Sequence, residues 1–138
     1  MPDDRILDSW SSLDIYRCRC GCTTPREVAD RLWLLDDALW ETKVGLEDEL
    51  GMFVNIYITS GYRCPKHNRK VGGARNSTHM RGLACDFVVK DLSGKRVAPG
   101  KVFKFIDKAQ RDGVLEKGGA HAYKSFTHLD IRGRITRW

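Results

Sequence analysis

His79 and Asp86 stand seven positions apart in Ser77-Thr78-His79-Met80-Arg81-Gly82-Leu83-Ala84-Cys85-Asp86, and a further histidine follows in Thr127-His128-Leu129-Asp130. Two imidazoles and a carboxylate from separate segments are the donor set that holds a catalytic zinc while leaving one coordination position open. Local patterning sharpens the reading. Residues 83–89 read as a strand, so Ala84, Asp86 and Val88 share one face and Cys85 and Phe87 the other. Asp86 then sits among apolar neighbours, where an unpaired charge is costly, and it requires either a metal ion or an arginine. Residues 126–131 alternate as a second strand, which places His128 and Asp130 on one face about 7 Å apart. One of the two can bind metal while the other acts as a base or orients a ligand. The competing role for Asp130 is a salt bridge to Arg132 or Arg134.

These residues need a scaffold, and the chain supplies its signals. Thr24-Pro25-Arg26-Glu27 predicts a helix start, with Thr24 as cap, Pro25 at the first helical position and Glu27 completing a capping box. Val28, Leu32, Leu35 and Leu39 continue as one apolar stripe, opposite Asp30, Asp36, Asp37 and Glu41. The helix is expected to end near Gly45 or Gly51, and Trp33 and Trp40 are expected to pack into the core. Residues 53–59 are β-branched and aromatic, the pattern of a strand. Residues 65–71 suit a short helix stopped by Gly72-Gly73, and residues 74–82 a polar loop. A second amphipathic helix follows Pro99-Gly100, with Val102, Phe105, Ile106 and Ala109 inward and Gly113 at its end. The tail reads as strand, Gly118-Gly119 turn, strand. Residues 1–22 look irregular, with Trp10, Leu13, Ile15 and Tyr16 as docking residues. The sum is a single compact α+β domain over residues 1–138, a small antiparallel sheet flanked by helices.

Bulk properties narrow the class. A chain of 138 residues with 41% hydrophobic and 30% charged residues is that of an ordinary globular domain. No run approaches the ~18 apolar residues of a membrane span. Met1 to Arg17 is mixed and acidic, without the basic and apolar regions of a secretory signal, so synthesis in the cytoplasm is expected. The net charge of +6 points to anionic surroundings, but the basic residues are scattered and form no nucleic-acid-binding ladder. An anionic polymer such as a bacterial cell wall suits that distribution. Five cysteines do not make a complete disulfide framework. Cys18, Cys20 and Cys22 lack the two-residue spacing of zinc knuckles, and Cys64 and Cys85 lack a spacing partner, so reduced thiols are expected.

The pattern from Ser60 to Asp86, SGYRxPxHNxxVGGAxxSxHxxGxAxD, followed by HxDxRG and a terminal RW, resembles the zinc D-Ala-D-Ala carboxypeptidases and peptidoglycan endopeptidases of the M15 peptidase family. It is similar to the compact branch that includes phage endolysins, and the resemblance covers residues 53–138. It implies a hedgehog/DD-peptidase-like fold and one zinc per chain on His79, Asp86 and His128. Arg63 matches the arginine that holds a substrate carboxylate or the oxyanion. Several members carry an acidic base three residues before the last histidine; here that position is Ser125, which cannot serve. Asp130 is then the first choice for the base and His121 the second, while His67 is expected to hold the loop. The implied partner is a peptidoglycan peptide, with no nucleic acid and no membrane insertion, and the protein is expected to be a monomer that reaches the wall as a phage or prophage lysin. Ser125 favours one alternative, an inactive metal-binding wall or phage structural module. A cysteine-organised nucleic-acid-binding domain would leave the His/Asp set unexplained.

Overall fold

The computed structural model of the chain describes residues 5–7 and 13–138. Six strands form one mixed sheet in the order β1-β2-β3-β5-β4-β6. They are β1 (Ile6–Leu7), β2 (Val54–Ser60), β3 (Ala84–Asp91), β4 (Gly119–Ala122), β5 (Thr127–Asp130) and β6 (Thr136–Arg137), and every pairing is antiparallel except that of β4 with β6. Three α-helices accompany the sheet: α1 (Arg26–Leu50), α2 (Pro65–Lys70) and α3 (Pro99–Arg111). No helix among the described residues is long and apolar enough to cross a membrane.

Strand alternation divides the sheet into two faces with different work. Ile56 and Ile58 of β2, Cys85, Phe87 and Val89 of β3, Leu129 of β5 and Ala120 of β4 all belong to the buried core. Helices α1 and α3 complete that core with Leu32, Leu35, Leu39 and Leu46 from one and Val102 and Ile106 from the other. The helices meet closely at Gly45, where a Cβ would collide with the ring of Phe105. That is why a glycine sits inside α1, which continues past it to Leu50 and stops at Gly51 with φ 65°. Burial of the stripe Val28, Leu32, Leu35 and Leu39 follows the apolar periodicity. Trp33 and Trp40 do not: they are 53% and 37% exposed, because their positions fall off that stripe. Nor does Thr24 cap the helix, which begins one residue later with Pro25 at the N-cap and no side-chain cap bond.

The N-terminal segment is docked rather than loose where it is described. Leu13–Tyr16 forms a 3-10 turn, and Tyr16 is fully buried with its hydroxyl donating to Asp36 Oδ1 at 2.6 Å. Ile15 is buried beside it and Leu13 packs against the core, while Trp10 lies outside the described residues. The Tyr62 amide donates to the Tyr16 carbonyl at 2.8 Å, and Arg19 donates to the carbonyls of Ile58 and Thr59. At the other end, Arg137 of β6 donates to Asp107 Oδ1 at 2.8 Å and to Gln110 Oε1 at 2.6 Å, tying the last strand to α3. The Gly118-Gly119 pair is not a hairpin turn. Gly119 opens β4, and the hairpin to β5 closes further on, with the Tyr123 amide donating to the Phe126 carbonyl at 2.9 Å.

Gly61 marks a close backbone crossing on the way to the second face. A Cβ there would lie 2.6 Å from the carbonyl oxygen and 2.7 Å from Cα of Tyr16, both backbone atoms that cannot swing aside. Gly61→Ala is therefore expected to cost about 1–3 kcal/mol, the usual penalty of overpacking, read from the midpoint of urea unfolding.

Candidate metal centre

The sheet face opposite the core carries a row of polar residues that crosses four strands. Pairing places Ser60 opposite Asp86, Asp86 opposite His128, and His128 opposite His121. Directly paired residues on antiparallel strands share a face, so these side chains stand together although 68 residues separate the first from the last. The register shift between Ile58 and Ser60 is what brings Ser60 into line. His79 joins the row from the 3-10 turn Thr78–Arg81, where the Ser77 hydroxyl accepts from the His79 amide at 3.2 Å. Gly82 ends that turn with φ 72°, and its missing Cβ leaves room for Val28 of α1. The loop 74–82 is thus a structured holder for a histidine that is only 3% exposed.

One ligand atom from each of His79, Asp86 and His128 lies within 4.8 Å of the others. His79 Nδ1 is 2.8 Å from the Gly61 carbonyl, which can only accept, so Nδ1 carries the proton and Nε2 presents its lone pair. His79 Nε2 lies 3.4 Å from Asp86 Oδ1. On His128 the roles of the nitrogens are exchanged: Nε2 donates to Asp130 Oδ2 at 2.9 Å, and Nδ1 faces Asp86 Oδ1 at 2.9 Å. With each imidazole proton committed outward, three acceptors point inward at one another. Such a set repels itself until a cation enters, and two nitrogens with one carboxylate oxygen is a donor set that zinc takes. Burial disfavours charge on His128, but its hydrogen bonds to Asp130 and Asp86 outweigh this and raise its pKa. Burial likewise works against the Asp86 carboxylate, yet bonding to His128 and His79 brings its pKa down to about 2.

Asp130 lies beneath His128, fully buried. Besides His128 it accepts from the Gly119 amide at 2.7 Å and from Arg132, whose Nε and Nη2 reach its two oxygens at 2.9 and 2.6 Å. These bonds hold it ionised, with its pKa lowered despite burial. Gly118 and Gly119 are glycines because a Cβ on either would strike Asp130, at its carbonyl oxygen and at Oδ2 respectively. Of the two roles open to this residue in the sequence, the ion pair with Arg132 is present, and the contact with His128 is that of an orienting partner. As the expected base it is poorly placed, because it has no exposed surface and both oxygens are occupied.

Above the row opens a cavity of about 770 Å³, lined by His79, Asp86 and His128 together with Arg63, Arg81, Arg132 and Arg134 and an aromatic wall of Tyr123, Phe126 and Trp138. Arg63 leaves the end of β2 half-buried and lines the cavity, and its buried Nε has no hydrogen-bond partner among the described residues. Gly73 gives it space, since a Cβ there would lie 2.7 Å from an Arg63 guanidinium nitrogen. His121 stacks on Trp138 at 5.4 Å between centroids, and Trp138 meets His128 edge-on at 5.1 Å. The Ser125 carbonyl accepts from Arg96. His67 contributes its amide to Cys64 Sγ. A second cleft, of about 680 Å³ and lined by residues such as Leu34, Glu41, Leu83 and Val114, shares none of these groups. The Gly61 carbonyl and the Gly118-Gly119 clearance were not foreseen from the sequence.

A family model described as peptidase M15 matches residues 13–130. No curated protein matches the chain.

Two consequences follow from the paired carboxylates. Removing the partner that orients His128, in Asp130→Ala, should weaken zinc affinity about 10–100-fold, measured by competition with a chromophoric chelator. In the metal-free protein, Asp86 has its pKa lowered to about 2, below the ordinary ~3.9 of an unfolded aspartate. Its contribution to stability is therefore complete above about pH 4 and is lost as pH falls towards about 2. Asp86→Asn should flatten the thermal-unfolding midpoint across that acid window.

Proposed function

The chain belongs to the M15 peptidase family, and from that premise we propose that it is a zinc peptidase hydrolysing peptide bonds in bacterial peptidoglycan, as a D,D-carboxypeptidase on stem peptides or an endopeptidase on cross-links. The observation that carries the reading is the inward convergence of His79 Nε2, His128 Nδ1 and Asp86 Oδ1, with the remaining imidazole protons held by Gly61 and Asp130. Zinc held there would supply a Lewis acid and lower the pKa of a water in its open position.

The chain's own residues divide the remaining work. Arg63, which lines the cavity, binds the substrate's terminal carboxylate or the negative charge that develops on the scissile carbonyl. Asp130 positions His128 and keeps its Nδ1 lone pair turned to the metal. With Asp130 withdrawn, proton transfer falls to His121, which flanks His128 on the same sheet face. With Arg132 paired to Asp130, the cavity's Arg63, Arg81 and Arg134 still outnumber Asp86 and suit an anionic substrate, as stem peptides are, and the net charge of +6 suits an anionic wall. Those charges, with the sequence pattern, support action on the cell wall as a lysin of the phage or prophage kind. The alternative, a metal-binding wall module without turnover, draws its support from Ser125 and the withdrawn Asp130.

Incubation with purified peptidoglycan, followed by mass spectrometry of the released fragments, separates the two readings. Wild type should release stem-peptide fragments, and His79→Ala and His128→Ala should lose both that activity and the zinc of this centre. Intact peptidoglycan from a zinc-loaded wild type would establish the inactive module instead. Arg63→Ala should lower kcat/KM about 10²-fold, and His121→Ala about 10²–10⁴-fold as expected for a proton-transfer group.

A further inference from the structure

Four cysteines from two distant segments meet at the opposite end of the Tyr62-Arg63 stretch from Gly61. Cys18, Cys20, Cys22 and Cys64 each offer a sulfur within 4.8 Å of the other three. The Sγ separations are 3.3 Å for Cys18 and Cys20, 3.8 Å for Cys18 and Cys64, and 3.6 Å for Cys20 and Cys64. None is a disulfide, whose sulfurs lie about 2.05 Å apart. Four sulfurs at about 2.3 Å from a tetrahedral zinc would be separated by about 3.8 Å, close to this arrangement.

The local backbone is shaped for the same end. Gly21 takes φ 83° and its amide donates to the Cys18 carbonyl at 3.0 Å, so the chain reverses tightly and three cysteines at alternate positions converge on one point instead of standing about 7 Å apart in a row as they would along a strand. Backbone amides also point at sulfur. The Cys64 amide donates to Cys18 Sγ and the His67 amide to Cys64 Sγ, each at 3.4 Å. Donors of that kind stabilise thiolates, the form in which cysteine binds metal. Cys64, at the start of α2, provides the ligand that the one-residue spacing of the other three lacks. Cys85, the remaining cysteine, is buried in the core.

We propose that Cys18, Cys20, Cys22 and Cys64 form a second, structural zinc site, a tetrathiolate centre with no open position. It clamps the N-terminal segment to Cys64. The clamp holds the stretch between Gly61, whose carbonyl orients His79, and Cys64, with Arg63 inside it.

The test counts metal per chain on protein purified under reducing conditions. Wild type should hold two zinc ions, and the Cys20→Ser/Cys22→Ser variant should lose one while keeping that of the His/Asp centre. His79→Ala and His128→Ala should lose the other and keep the thiolate-bound ion, so failure of the catalytic reading would leave this result intact. Cobalt substitution gives a readout independent of folding in any variant. Cobalt-loaded wild type and His128→Ala should both show the intense near-ultraviolet thiolate-to-cobalt absorption of a tetrathiolate centre. No zinc retained by His79→Ala and His128→Ala, a cobalt spectrum without thiolate absorption, or disulfide-linked peptides joining these cysteines in a non-reducing digest would each overturn the proposal.

Discussion

The hydrogen bond from His128 Nε2 to Asp130 is the constraint on which the site depends. An imidazole can offer a lone pair from only one nitrogen while the other keeps its proton, and the buried carboxylate decides which. Asp130 can play that part because Arg132 and the Gly119 amide stabilise its charge where water cannot reach. The Gly61 carbonyl settles the same question for His79. Remove either partner and the inward face of the centre becomes a mixture of donors and acceptors, which no single cation would fit.

This arrangement makes demands on backbone far from the metal. Asp130 reaches Gly119 only because Gly118 and Gly119 have no side chains, and the Gly61 carbonyl faces His79 only because Tyr16 lies flush against Gly61. The core face of the sheet, packed by α1 and α3, makes β2, β3, β5 and β4 rigid enough to hold the polar row on the other face. The same division puts the cavity's arginines and aromatic wall on the side left open by the helices. Binding groups that must meet solvent and ligands are thus carried by a surface whose reverse is buried under the helices.

Much of this was legible in the sequence, and the failures share a cause. The apolar stripe of α1, the strands around residues 54–60 and 84–91, and the common face of His128 and Asp130 follow from periodicity, which is local. Trp33 and Trp40 were expected inside because large aromatics usually are, but the stripe had already used the inward positions. Gly118-Gly119 has the composition of a turn and the function of a clearance, set by a carboxylate eleven residues away from Gly119. Asp130 was expected at the reacting centre, and only its burial beneath His128 reveals the three groups that already occupy it. The company Cys64 keeps is likewise invisible to spacing, since its partners are at least 42 residues distant and arrive through the docking of the N-terminal segment on β2.

The most direct test of the central claim is anomalous scattering at the zinc absorption edge from crystals of the zinc-loaded protein. The account predicts a peak bounded by His79 Nε2, His128 Nδ1 and Asp86, with His128 Nε2 still bonded to Asp130. A peak absent from that position, or zinc on His128 Nε2 with Asp130 displaced, would contradict it.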